Sequence, residues 1–271
     1  MAYSWYPGHM AKAVKEIKPL LKIIDVIIEL VDARAPMSSS NPLLVELSSR
    51  KPSIVLLNKA DLADQHRTEG WLRNIREGGR QAFATNAEDG TGIYNAMRAI
   101  SAAEGTVRTK PRALVVGMPN VGKSSLINRL SKKASAKTGN KPGITRGKQW
   151  IDIGNAELLD TPGIMPLRVD DPLVWFRLCA LGIIGDDLFD KEKVAKELLA
   201  QMSTEYPGYI HERYKVAETP QRDEQHCVLE EIAIRKGCMM KGGVPDLEKA
   251  SLMVIKDFRS GRIGRMSLES V

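Results

Sequence analysis

Three short runs carry the chemistry of this 271-residue chain. Residues 117–124 read Gly-Met-Pro-Asn-Val-Gly-Lys-Ser, which matches the spacing GxxxxGK followed by a hydroxyl side chain. The two glycines let the backbone curl round a phosphate with its N–H groups pointing inward. A helix starting at the loop adds the positive end of its dipole. The loop nominates Pro119, Asn120, Val121, Gly122, Lys123, Ser124 and Ser125 as nucleotide-binding residues. Lys123 reaches the outer phosphates, and the Ser124 hydroxyl ligates Mg²⁺. In the second run, Asn58-Lys59-Ala60-Asp61, the Asp61 carboxylate accepts two hydrogen bonds from the imino and amino edge of guanine. Adenine lacks that donor pair, so the site rejects it. Asn58 braces the base against the phosphate loop, and the Lys59 stem covers the ring face. The turn at residues 85–92 offers a second base contact through the backbone N–H of Ala87. The third run, Asp160-Thr161-Pro162-Gly163, matches DxxG: Asp160 holds Mg²⁺ through water, and the Gly163 N–H binds a γ-phosphate. Thr145, in the basic stretch at 137–150, supplies a second hydroxyl for Mg²⁺.

Each run needs an element to aim it. A β-branched strand at 113–117 leads into the phosphate loop, and a helix opens at 124–130. The apolar run at 52–61 leads into the base motif, and strands at 149–153 and 157–159 lead into DxxG. A nearly continuous apolar segment at 23–34 reads as a buried strand, 65–77 and 93–104 as helices, and 81–85 as a strand. Strands alternating with helices predict an α/β fold, a parallel-rich sheet flanked by helices. Beyond residue 185 helical patterns dominate. The expected division is therefore a nucleotide-binding domain at 1–184 and a small all-helical domain at 185–271.

Composition narrows the class. With 43% apolar and 27% charged residues the chain is globular. Three widely spaced cysteines are neither a disulfide framework nor a zinc pattern, and the four histidines lack ligand spacing. Apolar runs fall short of a membrane span, and the amino terminus has no leader-like h-region. The expectation is a cytoplasmic monomer. The net charge is +7, yet residues 190–271 balance at 14 basic and 14 acidic side chains. The excess lies in the first domain, where Lys132, Lys133, Lys137, Lys141, Arg146 and Lys148 run without an acid. That run is either a solvated face or a contact for RNA. Lys256, Arg259, Arg262 and Arg265 form a second RNA-facing candidate.

The order of the motifs is unusual. The base motif at 58–61 precedes the phosphate loop at 117–124, which calls for a circularly permuted chain. The segments WYPGHMAKA (5–13), DVIIELVDARAPMSSSNP (25–42), LLNKADL (56–62), GMPNVGKSSLINRL (117–130), KTGNKPGITRGKQW (137–150) and LLDTPGI (158–164) resemble the circularly permuted ribosome biogenesis GTPase A family, also called YlqF. The segments at 212–216, 232–243 and 255–269 resemble that family's helical C-terminal domain. Two departures stand out: Asn86-Ala87 replaces the usual Ser-Ala, and Met165 follows DTPGI where relatives often carry tryptophan.

The resemblance implies a P-loop GTPase that takes GTP as substrate and acts late in assembly of the large ribosomal subunit. Its implied partners are the large-subunit precursor, rRNA and ribosomal proteins. Ile164 follows Gly163 and cannot orient a water, so hydrolysis needs outside help. His9 either positions that water or is a packing histidine. Asn120 either offers its amide oxygen to K⁺, as in GTPases with a similar phosphate loop, or bonds its own backbone. The alternative from another class is a GTP-gated RNA-binding module with incidental hydrolysis.

Overall fold

The computed structural model describes residues 3–4, 19–42, 46, 51–102, 110–138, 150–154, 156–160, 168–219 and 225–271. In chain order they form β1 (Tyr3–Ser4), β2 (Val26–Asp32), α1 (Pro36–Ser39), β3 (Ser53–Asn58), α2 (Gln65–Glu77), β4 (Gln81–Thr85) and α3 (Ile93–Ser101). β5 (Arg112–Gly117), α4 (Lys123–Thr138), β6 (Trp150–Asp152), β7 (Glu157–Asp160) and β8 (Arg168–Val169) follow. The remaining helices are α5 (Pro172–Leu181), α6 (Lys191–Glu205), α7 (Tyr209–Tyr214), α8 (Gln225–Arg235) and α9 (Leu247–Arg259).

Six strands form one sheet in the order β4-β3-β2-β5-β7-β6. Every neighbouring pair is parallel except β6–β7. β2 is buried along its whole length, as a central strand covered on both faces must be. An apolar cluster of Ile24, Ile27, Leu114, Val116 and Leu159 joins β2, β5 and β7. A second cluster, including Val55, Leu57 and Ala82, packs against Trp71 of α2. Helix α2 begins where Asp64 caps it, accepting the Arg67 N–H at 2.8 Å. The spatial order explains the permutation. The base-motif strand β3 and the phosphate-loop strand β5 flank β2 although their chain order is reversed.

Two compact units divide the chain differently from expectation. One comprises Met1–Asp170 and Glu269–Val271, the other Asp171–Leu268. The expected boundary at 184/185 is corrected because α5 packs with α6 and α9. Asp171 caps it, accepting the Leu173 N–H at 2.7 Å, and Gly182 ends it in the left-handed region at φ 74°. Within the helical unit Arg259 donates to the carbonyls of Cys179 (2.7 Å) and Ala180 (2.9 Å), and to Asp186 at 2.8 Å. That corrects the reading of Arg259 as an RNA-facing side chain: it staples the end of α5. Lys256, Arg262 and Arg265 are exposed. No helix among the described residues is long and apolar enough to cross a membrane.

Candidate nucleotide-binding site

The carboxyl ends of β3, β4, β5 and β7 deliver the motif residues to one edge of the sheet, where parallel α/β sheets bind ligands. Registers align them: Asn58 lies level with Asp32 on β2 and with Thr85 on β4, and Asp160 lies level with Val115 on β5. The phosphate loop leaves β5 at Gly117 and enters α4 at Lys123. Asn120 sits in the left-handed region at φ 60°, which asparagine tolerates better than most residues. Lys123 is buried and folds over the loop, its Nζ donating to the carbonyls of Gly117 (3.1 Å) and Met118 (2.8 Å). Ser124 and Ser125 are exposed at the start of α4, and Pro119, lacking an N–H, shapes the loop without donating to it.

The base motif is tied to the phosphate loop by two consecutive side chains. Asn58 Nδ2 donates to the Val121 carbonyl at 2.8 Å. Lys59 Nζ donates to the Asn120 carbonyl at 2.8 Å and lies 3.0 Å from Asp32 Oδ2. Lys59 adopts φ 60°, and the Leu62 N–H closes the turn on its carbonyl at 3.0 Å. Asp61 is exposed, so its carboxylate is open to a ligand. Gly122 has φ 106°, and a Cβ there would overlap Asn58 Nδ2.

Ala87 differs from expectation in one respect. Its N–H donates to Asn58 Oδ1 at 2.9 Å, with the Thr85 hydroxyl on the same oxygen at 3.4 Å. A base carbonyl must therefore share or displace that bond. The turn that presents Ala87 is tight. Asn86 Oδ1 accepts the Glu88 N–H at 2.8 Å, and Gly92 (φ 75°) lies so close to Ala84 that a Cβ would strike its carbonyl. A cleft of about 770 Å³ opens between this turn and α4, lined by Ala87, Asp89, Tyr94, Ser125, Asn128 and Arg129. Two of these, Ala87 and Ser125, belong to the sequence-derived site. Arg129, which reaches the Ala87 carbonyl at 3.5 Å, has no motif to announce it.

His9, Thr145 and Gly163 lie outside the described residues, as do Ile164, Lys141, Arg146 and Lys148. For Mg²⁺ the residue types fit: Ser124, exposed where α4 begins, carries the hard oxygen this cation prefers, and the adjacent strand β7 ends at Asp160.

A sheet of this order, with phosphate loop and guanine motif bonded across its edge in reversed chain order, defines a circularly permuted P-loop GTPase. Residues 112–222 match the model of a family described as 50S ribosome-binding GTPase. The chain is 42% identical to ribosome biogenesis GTPase A of Bacillus cereus, covering 100% of this chain and 94% of that protein. It belongs to the ribosome biogenesis GTPase A family. A mitochondrial ribosome-associated GTPase 1 of Ictalurus punctatus is 32% identical over 98% of this chain and 92% of its own length. The crystal structure of GNP-bound YlqF from T. maritima superimposes with a TM-score of 0.70 at 28% identity, covering 96% of this chain and 98% of that one.

Proposed function

We propose that this protein hydrolyses GTP during late assembly of the large ribosomal subunit, and that the subunit precursor, through rRNA and ribosomal proteins, raises its turnover. The observation that carries this reading is the pair of bonds from Asn58 and Lys59 to successive phosphate-loop carbonyls, which makes one site of a base end and a phosphate end. The relatives' names supply the ribosomal context.

In this reading Asp61 selects guanine, Lys59 covers its face, and Asn58 holds the two motifs in register. The loop N–H groups and Lys123 bind the phosphates. Ser124, Thr145 and, through water, Asp160 would hold Mg²⁺, which would supply charge neutralisation at the outer phosphates. Gly163 senses the γ-phosphate, and His9 positions the attacking water. Asn120 would hold K⁺ through its side-chain oxygen, and the cation would supply positive charge against that developing in the transition state.

GTP turnover measured in KCl and in NaCl, each with and without large ribosomal subunits, tests the proposal. Stimulation by subunits, larger in K⁺, is the expected result. Slow turnover unchanged across all four conditions overturns it and leaves a GTP-gated RNA binder.

A further inference from the structure

The run at residues 32–36, Asp-Ala-Arg-Ala-Pro, takes no part in the phosphate or base chemistry above, yet it buries two charges beside that site. Asp32 has 0% of its surface exposed and Arg34 has 1%. A carboxylate taken out of water is costly by several kcal/mol unless counter-charges meet it in good geometry. Arg34 meets it fully. Asp32 Oδ1 accepts the Arg34 backbone N–H at 3.1 Å and Nε at 2.9 Å, and Oδ2 accepts Nη2 at 2.9 Å. One guanidinium already neutralises the carboxylate. Lys59 adds a second cation on the same Oδ2, at 3.0 Å, and gives the trio a net positive charge. Burial alone would push the Asp32 carboxyl up. The Arg34 and Lys59 charges and hydrogen bonds outweigh burial and hold it well below the usual carboxylate range.

Lys59 stands apart from the other two. Its side chain is 26% exposed, and its other bond leads outward to the phosphate loop at Asn120. The ammonium is thus pinned from two sides, by Asp32 from the interior and by Asn120 from the loop. The side chain stays partly exposed two residues before the exposed Asp61. A free lysine side chain loses rotamer entropy when immobilised. Here both partners of the ammonium, Asp32 and the Asn120 carbonyl, belong to the protein itself, and a side chain held in this way is preorganised for binding.

We propose that Asp32 is a positioning residue for the guanine nucleotide. By anchoring the Lys59 ammonium it sets the lysine stem as a preformed surface for the face of the base. The proposal rests on the guanine-nucleotide reading of the site. It predicts that freeing Lys59 speeds nucleotide release and leaves association largely unchanged.

The test is a double-mutant cycle on the full chain with a fluorescent GDP analogue, comparing wild type, Asp32→Asn, Lys59→Met and the double variant. Thermal unfolding of each variant fixes the folded fraction. Asp32→Asn is expected to weaken binding about tenfold, corresponding to about 1.4 kcal/mol. In the Lys59→Met background the same change should have no further effect, because the lysine it acts through is gone. A purely structural Asp32 would lower the unfolding temperature yet leave the affinity of the folded fraction unchanged, or weaken binding equally in both backgrounds; either result overturns the proposal. Should Asp32→Asn fail to fold, Asp32→Glu takes its place in the cycle. It keeps the charge that Arg34 requires and displaces the carboxylate by one methylene. A wild-type chain that binds no GDP overturns the guanine-nucleotide reading along with the proposal. Wild-type binding matched by Asp32→Asn overturns the role of Asp32 alone.

Discussion

Replacing Gly122 with alanine puts a Cβ into the space held by the side-chain nitrogen of Asn58, at a backbone φ of 106° that L-residues rarely adopt. Two costs add. The dihedral strain is about 1–3 kcal/mol. Displacing Asn58 leaves the Val121 carbonyl, now bonded at 2.8 Å, without its partner, for about another 1–3 kcal/mol. The expected loss is about 3 kcal/mol in the nucleotide-free protein. Because the chain divides into two units, hydrogen exchange at β3 and β5 amides is a cleaner assay than whole-chain melting. Protection there should fall about a hundredfold, while the helical unit keeps its protection. Adding Asn58→Ala removes the group the new methyl strikes, so the double variant should lose at least about 1 kcal/mol less than the sum of the singles. Wild-type protection in Gly122→Ala, or strict additivity in the double variant, would refute the claim that this glycine exists for the base motif as much as for a phosphate.

Other outcomes follow from the same geometry. Asp61→Asn exchanges a pure acceptor for an amide that donates to a carbonyl, so guanine nucleotides should bind about a hundredfold more weakly and xanthine nucleotides more tightly, as competition titrations will read. Iodoacetamide at pH 8 should modify Cys227, which is exposed, and spare Cys179 and Cys238, which are buried; mass spectrometry counts the adducts, and a second adduct on native protein would contradict this. Burial pushes the Cys179 thiol up to about 12. The fold therefore favours the protonated thiol, and that stabilisation, complete below the unfolded thiol value of about 8.5, should fade as pH rises toward 12. Glu269→Ala removes the carboxylate that accepts the N–H groups of Met37 (2.8 Å) and Ser38 (2.9 Å) and the Ser38 hydroxyl. Exchange at those two amides should accelerate by about tenfold or more, since a lost charge-assisted bond is worth about 1.5–3 kcal/mol.

What the sequence revealed and concealed divides along physical lines. Helix α2 and strand β4 fall at 65–77 and 81–85 as read, because a capping aspartate and a β-branched or aromatic run are local signals. Helix α5 went unread because its sequence, PLVWFRLCAL, has almost no polar face and so no helical period. β1 and β8 are two residues each, too short for any alternation. The base motif and phosphate loop were legible as spaced residue types, but their mutual bonds join residues about sixty positions apart and have no local pattern. Asp32 and Arg34 were visible only as charges at the end of an apolar run. Their common partner Lys59 emerges when β2 and β3 lie side by side. The Ala87 N–H was read as open to a base because nothing in the turn discloses that Asn58 already accepts it.

The last three residues, Glu269–Val271, belong to the same unit as residues 1–170. The helical unit is consequently an insertion in the chain and not an appendage at its end. A stop codon after residue 170 would remove the helices and also strip Glu269 from Met37 and Ser38, a few residues from the Asp32–Lys59 contact. The faithful way to isolate the nucleotide-binding half is an internal deletion that splices residue 170 to 269 through a short flexible linker, restoring by covalent closure the grip that simple truncation discards.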